Sequence, residues 1–245
     1  MSDAPTIILG GHVLNSRFRI SELKRPFPAS RLTVQTVPGG RGEVVTEQTM
    51  GPRSVSFKLW AFSRDHEKLM ADMADLATWL LTSGEMELSI SDEGGRVRRV
   101  VLDGELDFDE YEERGCVPIT LKQPDPYCNI GMPNTAQVAP GDATTVVVKH
   151  DLPDVSVSVA AAVRDSASLV WGIRFDEGDF LHIKLADDNA HSVSIDCAAP
   201  AVLVDGAVSM VTLDSNWPEL ARGVHTVRID NGTGSASLTW QERCL

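Results

Sequence analysis

The alternation of apolar and polar side chains predicts strands over most of the chain and one helix. Residues 54–62 read Ser-Val-Ser-Phe-Lys-Leu-Trp-Ala-Phe, with Val55, Phe57, Leu59 and Ala61 on one side and Ser54, Ser56 and Lys58 on the other. A period of two is that of a half-buried strand. Met86, Leu88 and Ile90 repeat it, as do Val117, Ile119 and Leu121. Asp92-Glu-Gly-Gly predicts a turn between the Met86 strand and a strand over 98–102. Over 64–82 the period changes, because Leu69, Met73, Leu76 and Leu80 fall four, three and four residues apart. That spacing places them on one stripe of a helix. Ser63 is its expected N-cap, Asp65 suits its positive N-terminus, and Gly84 lies where it should end.

Past Cys128 the texture changes. Residues 129–141 hold Gly131, Pro133, Pro140 and Gly141 without periodicity and read as a linker. Short strands then recur around 146–149, 155–159, 169–173, 180–185, 192–195, 201–204, 226–229 and 235–240. Turn sequences such as Asp176-Glu-Gly-Asp, Asp205-Gly and Asn231-Gly separate them. Many short strands divided by turns predict a β-sandwich of jelly-roll or lectin-like type. The expected organisation is therefore a mainly β first domain with one helix over 1–128, a linker over 129–141, and an all-β domain over 142–245.

Charge narrows the function classes. With 22 basic and 35 acidic residues the net charge is −13, and both halves of the chain are acidic. Such a chain repels nucleic acid phosphates and anionic membrane surfaces. No apolar run reaches 18 residues, so no membrane-spanning helix is expected, and the N-terminus does not read as a signal peptide. Cys116, Cys128, Cys197 and Cys244 form no metal-binding or redox spacing and read as reduced thiols.

Candidate chemistry is sparse. Glu105, Asp107 and Asp109 fall at period two, so on a strand they would line one face, as paired carboxylates must in a glycosidase. Without a flanking motif they read better as a solvated edge. Asp187-Asp-Asn and Asp176-Glu-Gly-Asp offer oxygens but match no calcium loop. Pro38-Gly-Gly-Arg-Gly lacks a phosphate-loop Lys-Ser/Thr and reads as a hairpin tip. The six histidines show no zinc spacing, and no Gly-x-Ser-x-Gly elbow is present. Trp217, in a loop of the second domain, is the single candidate for stacking on a sugar, against the plainer reading of packing under the loop. No catalytic residue, cofactor or metal is expected.

Three stretches together resemble a known family. They are Pro38-Gly-Gly-Arg-Gly-Glu with Gly51-Pro-Arg-Ser-Val-Ser-Phe-Lys-Leu; Leu76-Ala-Thr-Trp-Leu-Leu with Gly84-Glu-Met-Glu-Leu-Ser-Ile-Ser-Asp-Glu; and Val117-Pro-Ile-Thr-Leu-Lys-Gln-Pro-Asp-Pro-Tyr. In this order they resemble the distal tail proteins (Dit) of long-tailed, siphovirus-type phages. Phe180-Leu-His-Ile-Lys-Leu, Val204-Asp-Gly, Trp217-Pro-Glu-Leu and Leu238-Thr-Trp-Gln resemble the galectin-like sandwich of the same family. The strand before the Asp-Pro-Tyr end departs from the family pattern by carrying Pro118. A residue without an N–H suggests an edge or a bulge there.

The resemblance implies a hexameric ring at the virion tail tip, assembled in the bacterial host cytoplasm. It implies partners in the tail-tube protein and the tail-tip protein that carries host adhesion, and a central opening for DNA. It implies no sequence-specific nucleic acid binding and no membrane insertion. It also implies an inter-subunit hairpin arm, expected over 31–53, with Arg41, Glu43, Glu47 and Arg53 as subunit contacts. The alternatives are a stand-alone carbohydrate-binding or adhesion module and, more remotely, a glycosidase accessory domain.

Overall fold

A computed structural model describes residues 5–36, 42–111, 114–149, 155–164 and 169–245. The described residues are mainly β with one α-helix, and the chain divides into two compact units, Met1–Cys128 with Leu245, and Asn129–Cys244.

In the first unit the strands run in the order His12–Val13, Ile7–Leu9, Met86–Ile90, Arg96–Leu102, Arg114–Gln123, Arg53–Phe62, Arg19–Lys24. The apolar alternation reads directly as burial. Val55, Phe57, Leu59, Ala61, Met86, Leu88, Ile90, Val117, Ile119 and Leu121 all lie in one core cluster. The helix His66–Thr82 covers that core with Leu69, Met73, Leu76 and Leu80, the four residues of the predicted stripe. Its N-cap is Asp65 rather than Ser63. Asp65 accepts hydrogen bonds from the backbone N–H groups of Glu67 and Lys68, while Ser63 Oγ accepts from Asp65 N at 3.2 Å. A carboxylate combines the cap with favourable charge at the helix N-terminus.

The proline strand is central, not an edge. Arg114–Gln123 pairs with Arg53–Phe62 along its whole length, Pro118 lying opposite Lys58. On its other side Asp109–Tyr111 covers Arg114 to Cys116, and Arg96–Leu102 meets only Leu121 and Lys122. Pro118 sits in the stretch between these two partners, where a residue without an N–H fits. The strand expected to carry Glu105, Asp107 and Asp109 on one face also proves shorter. Only Asp109–Tyr111 is strand, and residues 103–108 form an exposed or half-exposed loop.

A charged network fixes the turn after Met86–Ile90. Arg25 donates to both Asp92 oxygens, at 2.7 and 3.0 Å, and to Glu93 at 3.1 Å. Arg98, 2% exposed, pairs with Glu93. The carboxylate offsets the desolvation of a guanidinium that is otherwise costly to bury.

The second unit is a β-sandwich. One sheet runs Asn134–Val138, Thr233–Trp240, Val155–Arg164, His191–Asp196, Ala201–Val204, Ala207–Ser209. The other runs Ala143–Val148, Gly223–Asn231, Val170–Phe175, Asp179–Lys184. Val159, Trp171, Ile173, Phe175, Leu181, Ile195 and Leu238 fill the space between them. The linker expected over 129–141 is corrected here. Asn134–Val138 is a strand that pairs with Thr233–Trp240 in register from Asn134↔Trp240 to Val138↔Ala236, and Val138 is fully buried. A five-residue strand between Pro133 and Pro140 is too short for the alternation to stand out from the flanking turn residues.

Three histidines of this sandwich pair with aspartates, two of them fastening turns and the third joining strands. His191 Nδ1 lies 2.6 Å from Asp205 and its Nε2 3.1 Å from Asp187. His225 Nδ1 lies 2.8 Å from Asp176 and its Nε2 2.7 Å from the Ala221 carbonyl. His182 Nε2 lies 3.1 Å from Asp230, which also takes two hydrogen bonds from Arg174. His191 and His225 each face acceptors with both ring nitrogens, an arrangement that suits the doubly protonated ring. The Asp205 hydrogen bond raises the His191 pKa. For His225, burial pulls downward, but Asp176 and the Ala221 carbonyl outweigh it and the pKa rises. The raised values mean that protonated imidazole stabilises the fold below the ordinary value of about 6.5 and that this contribution disappears as pH rises through the folded value. The partner carboxylates Asp176, Asp187 and Asp205 are shifted down, so their contribution disappears only in acid, below about 4. Thermal melts of the full chain are therefore expected to fall between pH 6 and pH 8, and a His191→Gln/His225→Gln double variant to flatten that slope. An unchanged slope in the variant rejects the assignment.

The exposed hairpin as a candidate assembly site

Among the described residues Ser30–Thr36 and Glu43–Met50 pair only with each other and form a separate two-stranded sheet. Every residue of both strands is exposed. The base is closed where Gly51 N donates to the Ala29 carbonyl at 2.7 Å. The register runs Ser30↔Met50, Leu32↔Gln48, Thr33↔Glu47, then shifts by one to Val34↔Val45 and Thr36↔Glu43. Thr46 is the extra residue, and its hydroxyl donates to the Thr33 carbonyl at 3.0 Å.

This bulge decides what the hairpin presents. Cross-strand partners share a face. With the shift, Leu32, Val34, Val45 and Met50 fall together, while Arg31, Thr33, Gln35, Glu47 and Thr49 lie on the other face with Val44. The apolar four are 55, 45, 53 and 42% exposed. A two-stranded hairpin is marginal in water by itself, and this one carries an uncovered apolar face.

The predicted contact residues separate. Glu43 and Glu47 are on the hairpin and exposed, Glu43 on the apolar face and Glu47 on the polar one. Arg41 lies outside the described residues. Arg53 is not on the hairpin. It opens the long strand Arg53–Phe62, is 6% exposed, and donates Nε to the Pro26 carbonyl at 3.3 Å. Burial and the neighbouring Arg98 lower its pKa. As a subunit contact it is corrected, because its side chain is spent inside its own domain. Trp217 is half-buried and packs against the sandwich core. The residues missed in the sequence are Leu32, Val34, Val45 and Met50. Their alternation is broken by the extra Thr46, so only the pairing register brings them onto one face.

Among the described residues no cluster of His, Cys, Asp and Glu is disposed to hold a metal ion. No described helix is long and apolar enough to cross a membrane. The three buried cysteines are unpaired, and burial pushes the Cys197 thiol up to about 12, which leaves it inert.

Comparison with known proteins decides the family. Residues 10–122 match the phage tail protein RIFT-related domain, and residues 154–244 match the C-terminal domain of the siphovirus-type tail component. The chain belongs to the distal tail (Dit) family of siphovirus-type phages. It is thus a phage tail component. Among solved structures it is similar to the Dit protein of phage SPP1, described as a paradigm of the hub adsorption apparatus in phages infecting Gram-positive hosts. Identity is 17%, the TM-score is 0.79, and the match covers 99% of this chain and 100% of that one. A chain of the phage P2 baseplate in its activated conformation aligns at 10% identity and TM-score 0.49, covering 98% of each chain. No curated protein matches. The SPP1 likeness establishes a shared fold across the length of this Dit-family chain.

Proposed function

We propose that this Dit-family chain is a hub of the tail tip, six copies closing into a ring that joins the tail tube to the tail-tip protein carrying host adhesion. Assembly takes place in the host cytoplasm, and the ring leaves an opening for DNA. The observation that carries this reading is the amphipathic hairpin. Four half-exposed apolar side chains on an arm without cover in its own subunit gain burial from a neighbour. The SPP1 relative, described as part of a hub adsorption apparatus, supports the same role. A net charge of −13 suits a passage to which DNA must not adhere.

In this reading Glu43 and Glu47 are charged contacts at the arm, each worth under about 1 kcal/mol as a surface pair. Arg41 remains a proposed member of the same set. The apolar face supplies the larger share of the stabilisation. The sandwich is read as galectin-like, with Trp217 assigned to packing rather than to a sugar.

The test is native mass by light scattering with negative-stain imaging, on the chain alone and with its tail-tip partner. The expected result is closed rings at six times the subunit mass. A single-subunit mass under both conditions, without rings, rejects the proposal.

A further inference from the structure

A second surface of the first unit has the chemistry of a receptor for an acidic segment. Arg19, Ser21, Trp60, Phe62 and Arg114 line an open cleft of about 330 Å³. Three adjacent strands build it. Arg19 lies opposite Trp60, and Arg114 lies opposite Phe62. The Trp60 indole donates to Ser21 Oγ at 2.8 Å, which holds the ring in place. The Arg114 guanidinium sits over the Phe62 ring, 5.7 Å from its centroid. Both arginines are exposed, and among the described residues neither forms an ion pair. Two exposed guanidinium groups thus stand beside two aromatic rings on a chain of net charge −13. Guanidinium forks bind carboxylates with charge-assisted hydrogen bonds, and the aromatic faces orient them.

The complement lies on the short strand Asp109–Tyr111 of the same sheet and the loop before it. Asp103, Glu105, Asp107, Asp109 and Glu110 are all exposed. Glu110 pairs with His66 at 3.0 Å, while the other four make no ion pair among the described residues. The strand order from this side is Asp109–Tyr111, Arg114–Gln123, Arg53–Phe62, Arg19–Lys24. Arg19 is three inter-strand steps of about 4.8 Å from the acidic strand, and Arg114 is on the strand beside it. Contact between the cleft of one copy and the acidic segment of another is heterologous, the kind that closes into a ring when the rotation permits.

We infer that the Arg19/Arg114 cleft receives the acidic 103–110 segment of a second copy, an inference that rests on the ring reading above. Overall repulsion between acidic copies is screened beyond about 8 Å at physiological ionic strength, whereas a carboxylate seated between two guanidinium groups is at contact distance. The same net charge disfavours a nucleic acid as the occupant.

Charge reversal in the full chain tests this. Arg19→Glu/Arg114→Glu makes the cleft acidic, and Glu105→Lys/Asp107→Lys adds basic charge to the acidic segment. Native mass at low ionic strength is expected to fall to one subunit for each variant alone and to return to the wild-type value when the two are mixed in equal amounts. Recovery on mixing also shows that both variants are folded. Wild-type mass should fall as salt is raised. Variants that keep the wild-type mass, or fail to recover it on mixing, overturn the inference and leave the hairpin-built ring standing. DNA retained by the wild type and lost in the arginine variant, with native mass unchanged, overturns it in favour of a nucleic acid. A wild-type chain that is monomeric throughout, both alone and with its tail-tip partner, overturns both readings.

Discussion

Replacing residues 32–50 by a short Gly/Ser turn is expected to leave the first unit folded and to reduce the native mass to that of one subunit. Among the described residues the hairpin strands pair only with each other, and none of their residues belongs to the core cluster. The closing bond from Gly51 to Ala29 lies outside the deletion. Shortening a loop alters its closure entropy by only about 0.6 kcal/mol per twofold change in length. The loss falls on association instead. Full burial of a Val, Leu or Met side chain is worth about 1.5–3 kcal/mol. Leu32, Val34, Val45 and Met50 are each about half exposed, so covering them supplies roughly 4 kcal/mol per arm, close to a thousandfold in the association constant. Native mass and the thermal transition, measured together, decide the matter. Unfolding of the first unit would place the hairpin in the fold, and rings that persist would place the interface elsewhere.

The second large effect is expected from Gly234→Ala. Gly234 has φ +120°, and a Cβ there would lie 2.0 Å from the Ala162 carbonyl oxygen and 2.9 Å from Val163 Cα. Both obstacles are backbone of the neighbouring strand, in a pair whose register includes Val163↔Gly234. Neither can rotate away, so the two inner strands of one sheet must separate, beneath Ala161, Val163 and Ala236 of the core. Strain and lost packing together should cost about 3 kcal/mol or more. For a unit of this size that lowers the transition of the sandwich by upwards of about 10 °C. Gly178→Ala, where nothing lies within 4 Å of the added carbon, is the control and should stay within about 0.5 kcal/mol of wild type. A variant at Gly234 as stable as the control would show that the strands can part at little cost.

Periodicity determined the elements that bury a face. The stripe Leu69, Met73, Leu76 and Leu80 and the alternating sets at Val55–Ala61, Met86–Ile90 and Val117–Leu121 appear in the core as written, because one buried face imposes its period on any helix or strand. Turn residues likewise marked most divisions of the sandwich, and the ordered motifs carried the family. Pairing decided the rest. Asn134–Val138 became a strand because Thr233–Trp240 offered it an edge, whatever its flanking prolines suggested. Pro118 was accommodated inside a sheet by the gap between two partners. Arg53 was drawn inward by its place at the head of a core strand, although its charge had suggested a surface contact. On the hairpin, a single inserted Thr46 put Leu32, Val34, Val45 and Met50 on one face, and on the sheet, strand order brought Arg19, Trp60, Phe62 and Arg114 together. A side-chain period is local and is carried by consecutive residues. Register and strand order join residues distant in sequence, and only the folded chain settles them.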